Sequence, residues 1–296
     1  MKFFSIIIPT IGRKDELDRL LQSIVNQKYK NLEIIIVDQN KNNLIDDLVE
    51  KYENIFKIYH EKVKFKGAAK ARNYGFKKSS GEIILFSDDD STLAPNVLKY
   101  VDDFLEKREE IQAVFGRVQD KESNKDILHF KKKDSKVKLC NLYQTTIETT
   151  MFIRRKKFEE IGMYDENLGI GTYFGAEEGA DLVARLLYKK TNMMFIAKTF
   201  FYHPNKRQYD LLDRAYSYNL GFGALVCKHI KEYKKIYPMF FYLILKILKN
   251  IFEILMGIVT FNKLRIDYNY ISLKGKVRGI VEKRKDYANN ENCNCA

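Results

Sequence analysis

Short apolar runs alternate with amphipathic stripes over the first ninety residues. Residues 3–8, 32–37 (LEIIIV) and 82–86 (EIILF) are almost wholly apolar, which predicts strands buried on both faces. Between the first two, Leu17, Leu20, Leu21, Ile24 and Val25 recur at i, i+3, i+4, i+7 and i+8, one helical stripe over residues 13–27. A second helix is predicted over 42–53, a weaker strand over 55–59, and a loop entering a helix over 67–78. This alternation implies an α/β fold with a mostly parallel, Rossmann-like sheet covered on both faces, whose ligands bind beyond the carboxyl ends of the strands. Past residue 90 the alternation weakens. A helix over 95–107, a strand over 112–118, a Lys-rich loop over 119–140, a strand over 148–153 and a short helix over 155–161 follow. A glycine-rich loop, 169–175, then leads into a helix over 177–188, and a strand over 193–197 precedes Tyr202, His203 and Pro204.

The candidate chemistry sits at predicted strand ends. Asp88, Asp89 and Asp90 follow the apolar run that closes at Phe86. Three adjacent carboxylates repel one another unless a cation or solvent relieves them. Hard oxygen ligands in that position suit Mg²⁺ or Mn²⁺, which commonly bridge to phosphates. The plain alternative is a solvated acidic turn before a helix started by Pro95. Pro9, Thr10 and Asp38 also fall at strand ends, so all should converge on one crevice, which a stray acidic turn would not do.

The chain has 296 residues and a net charge of +13, which predicts anionic partners such as nucleotide phosphates or an acidic membrane surface. Nucleic acid is set aside, because no recognition motif is present and the lysines are dispersed or flank one apolar helix. Cys140, Cys227, Cys293 and Cys295 form no paired metal or disulfide pattern, as expected of a reducing cytosol. The N-terminal MKFFSIIIPT reads as the first strand of the fold and not as a signal peptide.

Residues 207–236 are predicted helical, and 239–261 form the most apolar stretch of the chain. That stretch approaches the roughly 20 residues of a bilayer span. Lys246, Lys249 and Glu253 lie inside it on one helix face, so an in-plane amphipathic helix with basic flanks fits better than a span. The expected arrangement puts those three residues at headgroup level, with Leu243, Ile244, Leu248 and Leu255 among the apolar residues entering the acyl boundary. A helical subdomain or a homodimer contact is the alternative. The expected domains are 1–206 and a helical, basic extension at 207–296.

The ordered segments FSIIIPTIGR, IIIVDQN, KGAAKARNYGFKKSSGEIILFSDDD, GTYFGAEEGADLVARLL and YHP resemble glycosyltransferase family 2, over about residues 3–204. The resemblance implies the GT-A fold and inverting transfer of a sugar from a nucleotide-diphosphate donor, with uracil the commonest base. It implies a saccharide or lipid-linked acceptor, a Mn²⁺ or Mg²⁺ cofactor, and work on surface polysaccharide at the cytoplasmic face of the cell membrane. Pro9 and Thr10 would line the nucleotide pocket and Asp38 would accept from the base, although Gln39 and Asn40 replace the acid and small residue of many relatives. Lys70, Arg72 and Asn73 would contact nucleotide and donor. Asp88 and Asp90 match the ends of the DxD motif, with Asp89 between them; Asp88 would meet ribose, sugar or metal, and Asp90 the metal. A late histidine, His203, is a further metal candidate.

Inverting transfer requires a base beside the attacking hydroxyl. Glu177, Glu178 and Asp181 match the family's acidic motif, but this chain has one extra spacer. Glu178 is the expected base, with Glu177 and Asp181 as alternatives. For Lys70 a solvated helix face, for Asp38 a helix cap, and for the motif acids a dipole interaction compete with these roles. Two other functions share the fold or the charge: a nucleotidyltransferase, which PTIGRKDEL matches poorly, and a non-catalytic sugar-nucleotide-binding membrane scaffold.

Overall fold

The computed structural model describes residues 1–204, 211–234 and 239–293. The chain divides into two compact units, Met1–Asp165 with Gly179–Lys206, and Glu166–Glu178 with Arg207–Ala296. The segment Glu166–Glu178, counted with the first domain on sequence, clusters with the C-terminal helices.

In the first unit β1 (Phe4–Thr10), β2 (Leu32–Asp38), β3 (Lys57–Lys62) and β4 (Ile83–Phe86) are parallel, in the order β3-β2-β1-β4. The sheet continues through β8 (Phe152–Arg154), antiparallel to its neighbours β4 and β6 (Ala113–Gln119). Next comes β9 (Met193–Tyr202), which pairs with the short β5 (Thr92–Leu93) and β7 (Ser135–Lys136). The strands β1, β2 and β4 are buried almost throughout, as their unbroken apolar runs require. The register sets the site: Thr10 lies opposite Asp38, while β4 ends with Phe86 opposite Ile7. The carboxylate triplet therefore begins at the same end of the sheet as Thr10 and Asp38.

Helices α1 (Asp15–Val25), α2 (Asp46–Glu53) and α3 (Ala68–Lys78) make the crossovers. In α1 the stripe Leu17, Leu20, Leu21 and Ile24 is buried, and Asp15, Glu16 and Asp18 oppose the positive helix start. Gly75 lets α3 lie close on the sheet, since a Cβ there would stand 2.6 Å from Ile7 Cγ2 and 3.0 Å from Val37 Cγ2. Arg72 and Asn73 precede it on the same helix. Helices α4 (Val97–Glu106), α5 (Leu142–Thr145), α6 (Arg155–Glu160) and α7 (Glu178–Tyr188) complete the helices of this region.

Local chemistry shifts some expected boundaries. Asn96 takes a left-handed conformation, φ 61°, so α4 starts two residues after Pro95. The strand expected over 148–153 opens as a 3-10 turn at Glu148–Thr150, where the Thr150 hydroxyl donates to the Ile147 and Gly116 carbonyls. Such side-chain bonds compete with the strand ladder.

The second unit contains α8 (Leu211–Lys231), α9 (Met239–Val259) and α10 (Lys263–Cys293). The polar sequence of α10 hides its packing, because glycines and not an apolar stripe carry the contact with α8. A Cβ on Gly275 would lie 2.7 Å from the Tyr216 carbonyl oxygen, and one on Gly279 would collide with that of Leu220. Cys227 and Cys140 are free thiols. Lys235 and Cys295 lie outside the described residues.

The orientation of α9 corrects the sequence expectation. Leu243 is buried, and Lys246 and Glu253 turn into the bundle; of the three charges only Lys249 is exposed. The reason lies in partners that a single-helix pattern cannot show. Glu253 pairs with Arg265 at 2.5 Å, the Asn250 amide donates to Asn269 at 2.8 Å, and the Lys276 ammonium donates to Asn250 at 2.6 Å. Lys246 sits 3.8 Å from the Phe222 ring centre. Among the described residues no helix is long and apolar enough to cross a membrane.

Burial, with repulsion from Lys246, pushes the Lys276 ammonium down to about 8. A base with a lowered folded pKa opposes folding below that value, and the opposition fades as pH rises toward the unfolded pKa. Lys276→Met should therefore be most favourable relative to wild type below pH 8. Between pH 8 and pH 10.5 wild type should regain roughly 2–3 kcal/mol on the variant in urea titrations. A difference independent of pH would contradict the assignment.

Candidate active site

The triplet closing β4 is held in a tight turn. Ser91 donates from backbone and hydroxyl to the Asp88 carbonyl, and the Asp88 amide reaches the Thr149 hydroxyl at 3.3 Å. The three carboxylates diverge. Asp88 accepts from Arg72 of α3 at 2.8 Å, and the Arg72 guanidinium lies 5.7 Å from the Tyr164 ring centre. Asp89 is buried against Arg13 of the loop after β1, at 2.5 Å. Burial raises the Asp89 carboxyl above the usual range, although the Arg13 guanidinium pulls the other way. Asp90 meets Arg13 through one oxygen at 3.1 Å and His203 Nε2 through the other at 3.0 Å.

The pair Asp90 and His203 fits a divalent ion on donor chemistry. His203 Nδ1 stands 2.7 Å from the Pro204 carbonyl oxygen. Donation there is the tautomer that leaves Nε2 as a ligand. Asp88, a ribose, sugar or metal candidate on sequence, is bonded to Arg72 and remains partly exposed. A second group with ligand spacing is Asp38, Asp46 and His60, whose ligand atoms lie within 4.8 Å of one another. A cation is already beside that group, as Lys62 donates to Asp46 at 2.7 Å.

Asp38 is fully buried. One oxygen accepts from the Asn40 backbone and side-chain amides at 2.8 and 2.7 Å, and the other meets His60 Nε2 at 2.9 Å. His60, on the edge strand β3, was not singled out from sequence; a histidine in a weak strand carries no motif. Gln39 is also structural here, accepting from the Gly67 amide at 2.9 Å. Asn73 is buried and exchanges two 3.0 Å bonds with the Tyr164 backbone. Lys70 is exposed over the Phe65 ring, in keeping with a solvated helix face. Pro9 and Thr10 end β1 beside Val37 and Asp38.

The three acidic candidates near α7 differ sharply. Asp181 is fully buried and bonds Arg185 at 2.8 Å, while Arg185 also donates to the Ile161 and Met163 carbonyls at 2.6 Å each. That is a clamp fastening α7 to the end of α6. Glu178 opens α7 and is buried, with Gly169 pressed on its carboxylate so closely that a Cβ would stand 2.6 Å away. Gly169 itself has φ +100°, a conformation suited to glycine. Glu177 holds φ 75°, a strained value for a non-glycine residue. Glu148, missed on sequence, lays its carboxyl group against Gly179, close to where a Cβ would stand.

The model of glycosyl transferase family 2 matches residues 5–162. The chain belongs to this family. It is 26% identical over 264 residues to the minor teichoic acid biosynthesis protein GgaA of Bacillus subtilis, covering 81% of this chain and 58% of that protein. It is 33% identical over 101 residues to a Campylobacter jejuni protein named GalNAc(5)-diNAcBac-PP-undecaprenol beta-1,3-glucosyltransferase, covering 33% of each. The chain thus spans less than two thirds of the length of these relatives. The crystal structure of S. aureus TarS 1-349 in complex with UDP-GlcNAc superposes with a TM-score of 0.63 at 19% identity, over 77% of this chain and 67% of that one. This likeness confirms the GT-A fold expected from sequence.

The Arg185 clamp separates the roles of the acids. Asp181→Asn leaves a buried guanidinium without its counter-charge and should cost about 3–5 kcal/mol in chemical unfolding. Nucleotide affinity of the folded protein should change little. Wild-type stability with abolished turnover would instead make Asp181 part of the chemistry.

Proposed function

We propose that this family member is a metal-assisted, inverting glycosyltransferase that moves a sugar from a UDP-sugar to a hydroxyl of a saccharide or lipid-linked acceptor. The observation that carries the proposal is the Asp90–His203 pair beside the Asp88–Arg72 pair, at the sheet end shared with Asp38. A divalent ion held by Asp90 and His203 would neutralise charge on the departing diphosphate. Arg72 stands ready to add its own positive charge to that leaving group, with Asp88 fixing its direction. Arg13 lies between Asp89 and Asp90 and offsets part of their charge.

Asp38 supports uracil as the base. A carboxylate has about four acceptor sites, and three are used by the Asn40 amides and His60. The remaining one suits a ring with a single N–H, whereas guanine presents two donors on one edge. Glu178, buried at the start of α7, is the proposed base. The relatives' names support surface-polymer synthesis, teichoic acid in GgaA and an undecaprenol-linked glycan in the Campylobacter protein. Such acceptors favour a peripheral position at the inner face of the cell membrane, with the chain as an enzyme and not a passive scaffold.

Metal-dependent hydrolysis of a panel of nucleotide sugars tests the reading. UDP-sugars should be consumed with Mn²⁺ and spared with chelator; consumption of GDP-sugars alone would contradict the base assignment. Glu178→Gln should lower transfer by about 10²–10⁴-fold with donor affinity nearly unchanged. An active Glu178→Gln beside an inactive Glu177→Gln would move the base to Glu177.

A further inference from the structure

Helix α9 buries polar side chains alongside Met239 and Leu243 while leaving a row of large apolar ones exposed. Its inward face carries Lys246, Asn250 and Glu253, each engaged within the helical unit. Its outward face carries Phe241, Leu245, Leu248, Phe252, Leu255 and Val259, all exposed and spaced by three, four or seven residues. They form one continuous apolar stripe along most of the 21-residue helix. A helix packed on a water-soluble bundle presents the opposite arrangement. Buried polar bonds to α10 fix this rotation, so the stripe cannot be hidden by turning the helix without breaking them.

Charge indicates what covers the stripe. Residues 207–296 carry sixteen Lys and Arg against eight Asp and Glu, whereas residues 1–206 carry thirty-six against thirty-one. Lys249 at the margin of the stripe and Lys263 just past it are exposed, and so are Lys274, Arg278 and Arg284 on α10. A second copy would bring the same positive charge against this surface. An anionic lipid surface brings its complement, with headgroups for the cations and an acyl boundary for the stripe. We infer that the outward face of α9 is a monolayer-inserting surface, lying in the plane of an anionic membrane with Lys249 and the exposed cations of α10 at the headgroups. This gives a surface to the peripheral placement proposed above, and it does not depend on the glycosyl-transfer chemistry.

The test is sedimentation of the full chain with vesicles of phosphatidylcholine alone or mixed with phosphatidylglycerol. Wild type should sediment with the mixed vesicles and weakly with the neutral ones. The double variant Leu248→Glu, Leu255→Glu, which alters only exposed positions, should lose at least about tenfold in partitioning while keeping its circular dichroism spectrum. Lys249→Glu with Lys263→Glu should weaken binding to mixed vesicles alone. Three outcomes would overturn the inference. Wild type could stay in the supernatant with both vesicles. The double variant could bind as well as wild type. Wild type could form lipid-free dimers, with no vesicle binding, that the double variant dissolves, making a second copy the occupant. Donor hydrolysis measured on the same preparations keeps the two questions apart, since vesicle binding without hydrolysis counts against the enzyme reading and not against this surface.

Discussion

Mutual repulsion of three carboxylates at the end of a buried strand is the constraint on which the first unit turns. β4 delivers Asp88, Asp89 and Asp90 to one tight turn, and their partners come from different parts of the chain: Arg72 of α3 meets Asp88, Arg13 of the loop after β1 meets both Asp89 and Asp90, and His203 after β9 meets Asp90. The close seat of α3 on the sheet at Gly75 and the parallel register of β1 against β2 and β4 are what bring those partners together. Two guanidiniums against three carboxylates leave the triplet short of positive charge, so a divalent cation would complete the balance and carry a diphosphate with it.

The acids at α7 show how similar side chains acquire different work. Asp181 is spent on Arg185, and through it on the carbonyls that end the α6 region. Glu177 and Glu178 belong to the segment that clusters with the helical unit, where glycine conformations and strained backbone hold the loop. Gly221 of α8 lets the Phe174 and Ala176 carbonyls rest on that helix. The backbone strain at Glu177 sits beside the proposed base, where such strain commonly persists for function.

Much of the α/β unit was legible because its signals are local. Unbroken apolar runs named β1, β2 and β4, and the stripe Leu17, Leu20, Leu21 and Ile24 named α1. The strand-end logic then placed Thr10, Asp38 and the triplet at one end of the sheet. Pairings between distant segments were not legible. Nothing near His60 announces Asp38, and nothing in the run Asp88–Asp90 assigns Arg13 to two of its members. A helical extension was expected there, but the packing of α10 on α8 was not legible, because it is made by backbone approach at Gly275 and Gly279, which leaves no hydrophobic period to read. The rotation of α9 was misjudged for a related reason: Lys246 and Glu253 look solvated until Phe222 and Arg265 are known.

The account stands most directly on Asp90 as the carboxylate that couples a divalent ion to the donor diphosphate. Calorimetric titration of UDP into wild type and Asp90→Asn, with Mn²⁺ and with chelator, isolates that coupling from turnover. The account predicts that Mn²⁺ tightens UDP binding to wild type by about tenfold or more and leaves the folded variant's affinity unchanged. Equal enhancement by Mn²⁺ in both proteins would contradict it.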